Sequence, residues 1–118
     1  MQYMILIHSD PAAWDAMPPA EMQEAFDAYM KYNRDLAMAG VIRSGGQLAP
    51  AHTGTTLRSR GGTVETTDGP FAESREQLGG FYVIEVEDLD AALAWAGRCP
   101  AIYGGGAIEV RPLVVIPE

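Results

Sequence analysis

The sequence predicts an α+β fold of ferredoxin-like type, an antiparallel sheet roofed by two helices with a β-hairpin inserted midway, in a single domain spanning residues 1–118. Three observations predict it. Apolar runs of strand length and of helical period follow one another as strand, helix, strand, then a hairpin, then strand, helix, strand. Gly61-Gly62 separates two β-type runs by the two residues a tight hairpin favours. The main strands are apolar on both faces, although two helices can cover only one side of a sheet. The second face therefore needs a partner, and a twofold homodimer is the simplest source of one.

Tyr3 to His8 is apolar on both alternating faces until His8, as expected of a strand covered on both sides. Asp10-Pro11 reads as an N-cap with proline at the first helical position, opening a short turn through Trp14. Pro18-Pro19 ends that turn and opens a long helix. From Glu21 to Ala39, Met22, Phe26, Tyr29, Met30, Asn33, Leu36 and Ala37 form one stripe, with Glu21, Glu24, Lys31, Arg34 and Asp35 away from it. Gly40 suits the C′ position that stops the helix. Val41 to Leu48 is a second strand loosened by Gly45-Gly46, and Pro50 to Gly54 is a loop.

Thr55 to Arg60 and Thr63 to Thr67 make the hairpin, in a register that sets Arg58 opposite Glu65 and Ser59 opposite Val64. Asp68-Gly69-Pro70 is a turn, because Asp can bond its own backbone, Gly accepts positive φ and Pro fixes φ. Glu73 to Gln77 is a polar loop or one helical turn. Gly79-Gly80 then permits a close backbone approach before the central strand Phe81 to Val86. Asp88 caps a second helix whose buried side is Leu89, Ala92, Leu93 and Ala96, with Trp95 flanking, and Pro100 ends it. Tyr103 to Gly106 is a flexible connection. Ala107 to Val115 is the last strand, interrupted by Pro112.

Composition narrows the function. A hydrophobic fraction of 47% argues against disorder. A net charge of −8, with eight scattered Lys and Arg, argues against direct nucleic-acid binding, which needs clustered cations to replace phosphate counterions. The single Cys99 excludes an internal disulfide and suits a reducing cytoplasm. No apolar run has the length of a membrane span or the flanks of a signal peptide. His8, His52 and Cys99 show no metal-ligand spacing, Gly104-Gly105-Gly106 lacks the Lys-Ser/Thr of a phosphate loop, and Gly-x-Ser-x-Gly is absent. The expectation is a site without metal or cofactor.

Asp68-Gly69-Pro70-Phe71-Ala72-Glu73, followed by Glu76 to Tyr82, resembles the signature of the DGPF branch of the YCII-related family. The similarity extends through Val86 to Trp95, Glu109 to Leu113 and the N-terminal Tyr3 to Ile7. It implies a dimeric α+β barrel with a cleft between or beneath the facing sheets. It also implies a His–Asp pair doing acid/base work on small molecules, including dehydrochlorination of a chlorinated aromatic. This chain has Cys99-Pro100 where those relatives carry Asp-Pro, and no histidine in the first long helix, so that pair does not carry over. DGPF proteins further resemble partners encoded beside, or fused to, sigma factors, which implies a link to transcription initiation.

The informative polar residues interrupt otherwise apolar strands: His8, Arg43, Glu109 and Arg111. A charge buried unpaired costs several kcal/mol, so each must be paired, solvated in a cleft or at an edge. One reading pairs Glu109 with Arg43 or Arg111 for structure alone. The other gathers Arg43, Arg111, His8 and the Asp68 turn into a cleft for a small anionic or phenolic ligand. In that second reading His8 and Asp68 handle protons, and Arg43, Glu73, Tyr82, Glu109 and Arg111 bind the ligand. The leading functional expectation is a small-molecule enzyme using cofactor-free acid/base catalysis of the lyase or isomerase kind. The alternatives are a ligand-binding or regulatory module, and a purely structural dimer.

Overall fold

The computed structural model describes residues 1–117. Its elements in chain order are β1 (Gln2–Ser9), α1 (Pro11–Asp15), α2 (Pro19–Met38), β2 (Ile42–Gln47), β3 (Thr55–Arg60), β4 (Thr63–Asp68), β5 (Gln77–Glu85), α3 (Leu89–Ala96), α4 (Pro100–Tyr103) and β6 (Ala107–Pro112). A single 3-10 turn, Ala51–Thr53, precedes β3. The long strands form one antiparallel sheet in the order β2-β5-β1-β6, and β3 and β4 pair separately as a two-stranded sheet.

Strand β1 is central, and its alternation decides the two faces of the sheet. Tyr3, Ile5 and Ile7 are buried beneath the helices, whereas Met4, Leu6 and His8 point to the opposite face and are only half covered. The core joins the β1 residues to Ile84 of β5, Tyr32 and Leu36 of α2, Ala92 and Ala96 of α3, and Cys99. Asp10 caps α1 by accepting from the Ala12 N–H at 2.9 Å, and Asp88 caps α3 by accepting from Ala91 at 2.9 Å. Gly40 follows α2 at φ 71°, the left-handed conformation that glycine adopts without strain.

Four expectations change. On α2, Tyr32 and Leu36 are buried and Tyr29 is half-buried, but Met22, Phe26 and Met30 are exposed, Phe26 by 60%. The apolar surface of this helix is wider than the sheet beneath it, so periodicity alone selects the wrong edge of the stripe. Strand β5 starts at Gln77 rather than Phe81, and the glycine pair lies inside it, with a Cβ on Gly80 falling 3.1 Å from the Gly46 carbonyl oxygen of β2. Pro100 ends no helix: α3 stops at Ala96, and Pro100 opens α4 at its first position. Strand β6 stops at Pro112, which has no N–H to continue the ladder.

The Tyr103 to Gly106 segment, read as a flexible connection, has a steric requirement at Gly106. A Cβ on Gly106 would lie 2.9 Å from the His8 carbonyl oxygen and 3.0 Å from that of Ala101, so only glycine lets α4 turn into β6 beside His8.

Tyr29, Tyr32 and Tyr82 meet Cys99 on the helix side of the sheet. Tyr32 donates to the Trp95 carbonyl at 2.8 Å, Tyr82 donates to Asn33 Oδ1 at 2.5 Å, and the two rings meet edge to face at 5.4 Å. Burial, followed by the nearby Cys99, pushes the Tyr82 phenol up to about 12, and burial raises Tyr29 and Tyr32 further still. A phenol whose folded pKa exceeds its unfolded value of 10.0 contributes stability that is complete below that value. That stability is lost as pH rises through the folded value. An alkaline absorbance titration should therefore show these phenols ionising only as the chain unfolds, above pH about 10. Reversible ionisation of all three near pH 10 with the helical circular dichroism unchanged would contradict the packing.

Candidate functional site

On the open face, the register places Leu6 opposite Glu109, Met4 opposite Arg111 and His8 opposite Ala107. Glu109 is therefore the diagonal neighbour of His8 and the next residue on the same face before Arg111. Side chains use this placement: His8 Nε2 lies 3.3 Å from Glu109 Oε1, and Arg111 Nε donates to Glu109 Oε2 at 2.5 Å. The Arg111 bond first, and the His8 bond after it, hold the Glu109 carboxyl below the usual carboxylate range. Glu109 is thus an anion at neutral pH and can only accept. The Nε2 atom of His8 must donate to it, which leaves Nδ1 as the acceptor of a neutral imidazole.

Strand β5 contributes a bulge at the same place. The β1–β5 register shifts between Ile7 and His8, so that Ile7 faces Gly80 and His8 faces Leu78. The extra residue is Gly79. Bulges re-aim neighbouring side chains and end regular pairing, and this one lies where the sheet gives way to loops. Beyond it, His8 and the segments around 48–54 and 70–78 line an open cleft of about 590 Å³. Its wall is mainly apolar, including Leu48, Pro50, Phe71 and Leu78, with Ser74, Glu76 and Gln77 as polar groups. The 70–78 segment is braced internally by Gln77 Nε2 donating to the Ser74 carbonyl at 2.5 Å, and externally by Arg75 to Asp10 at 3.2 Å. A second groove of about 590 Å³, between the first residues and Leu113 to Ile116, has Glu85 as its only charged side chain among the described residues.

The sequence-predicted residues separate into three places. His8, Glu109 and Arg111 come together on the open face. The carboxylate that meets His8 is Glu109, not Asp68, which sits exposed at the end of β4 and does not line the cleft. Glu73 is likewise exposed outside the cleft. Arg43 is the extra residue of a second bulge, between Ile42 opposite Ile84 and Ser44 opposite Val83, and its guanidinium turns back onto the Gly40 and Ile42 carbonyls. Tyr82 faces the helices, opposite Ile5, on the other side of the sheet from His8. Of the cleft's polar groups, Ser74 and Gln77 carried no signal in the sequence beyond belonging to a polar loop. Among the described residues, no three His, Cys, Asp or Glu side chains converge as a metal ion would require.

An antiparallel sheet roofed by helices on one side, with a histidine–carboxylate pair on the other, defines an α+β protein with a candidate acid/base site. The chain belongs to the YCII-related family, whose domain matches residues 1–117. An uncharacterised protein of Rhizobium meliloti is 34% identical over 116 residues, covering 98% of this chain and 94% of the relative. Among solved structures, 5-chloro-2-hydroxyhydroquinone dehydrochlorinase (TftG) from Burkholderia phenoliruptrix AC1100, in complex with 2,5-dihydroxybenzoquinone, is 20% identical. That comparison covers 97% of this chain and 94% of the other, with a TM-score of 0.49. No helix among the described residues is long and apolar enough to cross a membrane.

Proposed function

We propose that this chain is a small-molecule enzyme of the DGPF branch, performing cofactor-free acid/base catalysis of the lyase or isomerase kind. The observation that carries the reading is the His8–Glu109 hydrogen bond at the mouth of a mainly apolar cleft. A carboxylate fixes one imidazole nitrogen as donor and leaves the other free to take a proton from carbon or oxygen and return it elsewhere. Apolar walls suit a flat, weakly polar substrate, with the Glu76 carboxylate and the Gln77 amide oxygen available to accept from its hydroxyl groups. The working assembly in this reading is a ferredoxin-like homodimer, a dimeric α+β barrel whose two open sheet faces cover one another in the cytoplasm.

A binding or regulatory module, linked to sigma-factor-dependent initiation, is favoured by the scarcity of titratable groups in the cleft, where His8 is joined, among the described residues, only by Glu76. One experiment separates the two. A thermal-shift screen of small aromatic and carbonyl metabolites should raise the melting temperature with a subset of compounds. Chromatography of each hit after incubation then reads conversion. Hits consumed by the wild type support the enzyme; hits that bind and persist unchanged support the module.

A further inference from the structure

The β3–β4 hairpin is exposed along nearly its whole length. From Thr55 to Asp68 every residue except Thr56 is exposed, with Leu57 at 62% and Val64 at 63%. Its ties lie at its own root: Gly69 N–H to the Gly54 carbonyl at 2.7 Å, Thr56 Oγ1 to the Gly69 carbonyl at 2.9 Å, and Arg58 over the Phe71 ring at 4.9 Å. A two-stranded hairpin with nothing on either face is at best marginally stable in water. Leu57 and Val64 are diagonal cross-strand neighbours on one face, in the register that pairs Leu57 with Thr66 and Ser59 with Val64. That face sets the two apolar side chains among Thr55, Ser59, Thr66 and Asp68 and is uncovered.

The dimensions of the whole chain are those of a subunit with surface left to cover. The molecule measures 48 × 47 × 18 Å with a radius of gyration of 16.4 Å, against about 13.5 Å for a compact domain of this length. Its accessible surface is 8331 Å². A compact monomer of 12.7 kDa exposes about 6,200 Å². The excess is about 2,000 Å² per copy, and two copies together reach the roughly 2,000–5,000 Å² scale of obligate homodimers. Charge points the same way. The chain carries −8, whereas the hairpin balances Arg58 and Arg60 against Glu65 and Asp68, so it can approach a second acidic copy without adding to the repulsion.

We propose that the β3–β4 hairpin is an arm that docks its Leu57–Val64 face on a second copy of this chain, and that this docking braces the His8 cleft of its own protomer. The link to the cleft is Phe71, which lines it and stacks under Arg58 of the arm. The inference rests on the homodimer of the proposed function and adds to it the element that grips the partner.

Two variants test it by sedimentation velocity over a concentration series. In the first, residues 55–68 are replaced by Gly-Gly; Gly54 and Gly69 are already hydrogen-bonded, so the short link closes without strain. The second, Leu57→Asp with Val64→Asp, keeps the arm and spoils its face. The wild type should be a dimer at micromolar concentration, and each variant should raise the dissociation constant at least about tenfold. Should the deletion fail to fold, the double substitution decides. A monomeric wild type at about 100 μM, or wild-type dimerisation in the double variant, overturns the proposal. A dimer that persists without the arm leaves the catalytic reading standing. A wild-type dimer that binds compounds but converts none, and that dissociates in both variants, instead removes the catalytic reading and leaves the arm in place.

Discussion

His8→Ala is expected to lower turnover of a converted ligand by about 10²–10⁴-fold, the contribution typical of a positioned general acid or base. The loss should fall on kcat, with the ligand's dissociation constant changed by less than about threefold, because the cleft wall is mainly apolar and does not depend on the imidazole. The fold should be untouched. The His8 side chain is part-exposed on the open face, and its bond to Glu109 is a half-solvated one of the kind that contributes little to stability. A Glu109→Gln variant should fall between wild type and His8→Ala. The amide keeps the shape of the carboxylate but can donate as well as accept, so both imidazole tautomers become populated and the acceptor at Nδ1 is no longer enforced. Arg111 would at the same time lose its charged partner. Full turnover in His8→Ala removes the imidazole from the chemistry. Full turnover in Glu109→Gln alone reduces the carboxylate to a structural role.

The parts of the fold that were legible in the sequence are those encoded by neighbours in the chain. Asp10 and Asp88 cap helices through bonds reaching two and three residues ahead, and Gly40 closes α2 through its own φ, so each can be read from a few letters. The strand order and the partner of His8 are of another kind. Glu109 is 101 residues from His8, and the two meet only because β1 and β6 pair in one register out of several that their apolar patterns allow. Arg43 shows the sharper limit. Its position in β2 suggested a cleft-facing cation, but a one-residue bulge removes it from the alternation and lets it bond carbonyls beside the helix end. Tyr82 was assigned to the ligand, and parity against Ile5 puts it among the tyrosines instead.

Leu36→Ala is expected to destabilise the protein by about 2–5 kcal/mol, the cost of a large cavity in a packed core. Leu36 is fully buried, in the cluster that joins β1, β5, α2 and α3, and a neighbouring backbone anchored by Gly40 and Val41 cannot collapse freely into the space. Domains of this size retain about 5–15 kcal/mol in total, so the variant should melt on the order of ten degrees lower at matched protein concentration. Phe26→Ala is the contrasting measurement on the same helix. A sequence stripe that counts Phe26 as core assigns it a loss of about 3–5 kcal/mol. The structure leaves its ring mostly in solvent, where removal should change stability by less than about 0.5 kcal/mol. Thermal and urea unfolding of both variants therefore reads out which edge of α2 faces the sheet. Equal losses would mean that the helix is rotated about its axis, and with it the tyrosine cluster that Tyr29 and Tyr32 bring against Cys99. A large loss for Leu36 with a small one for Phe26 fixes that rotation, and so fixes which face of the sheet is left for His8 and Glu109 to share.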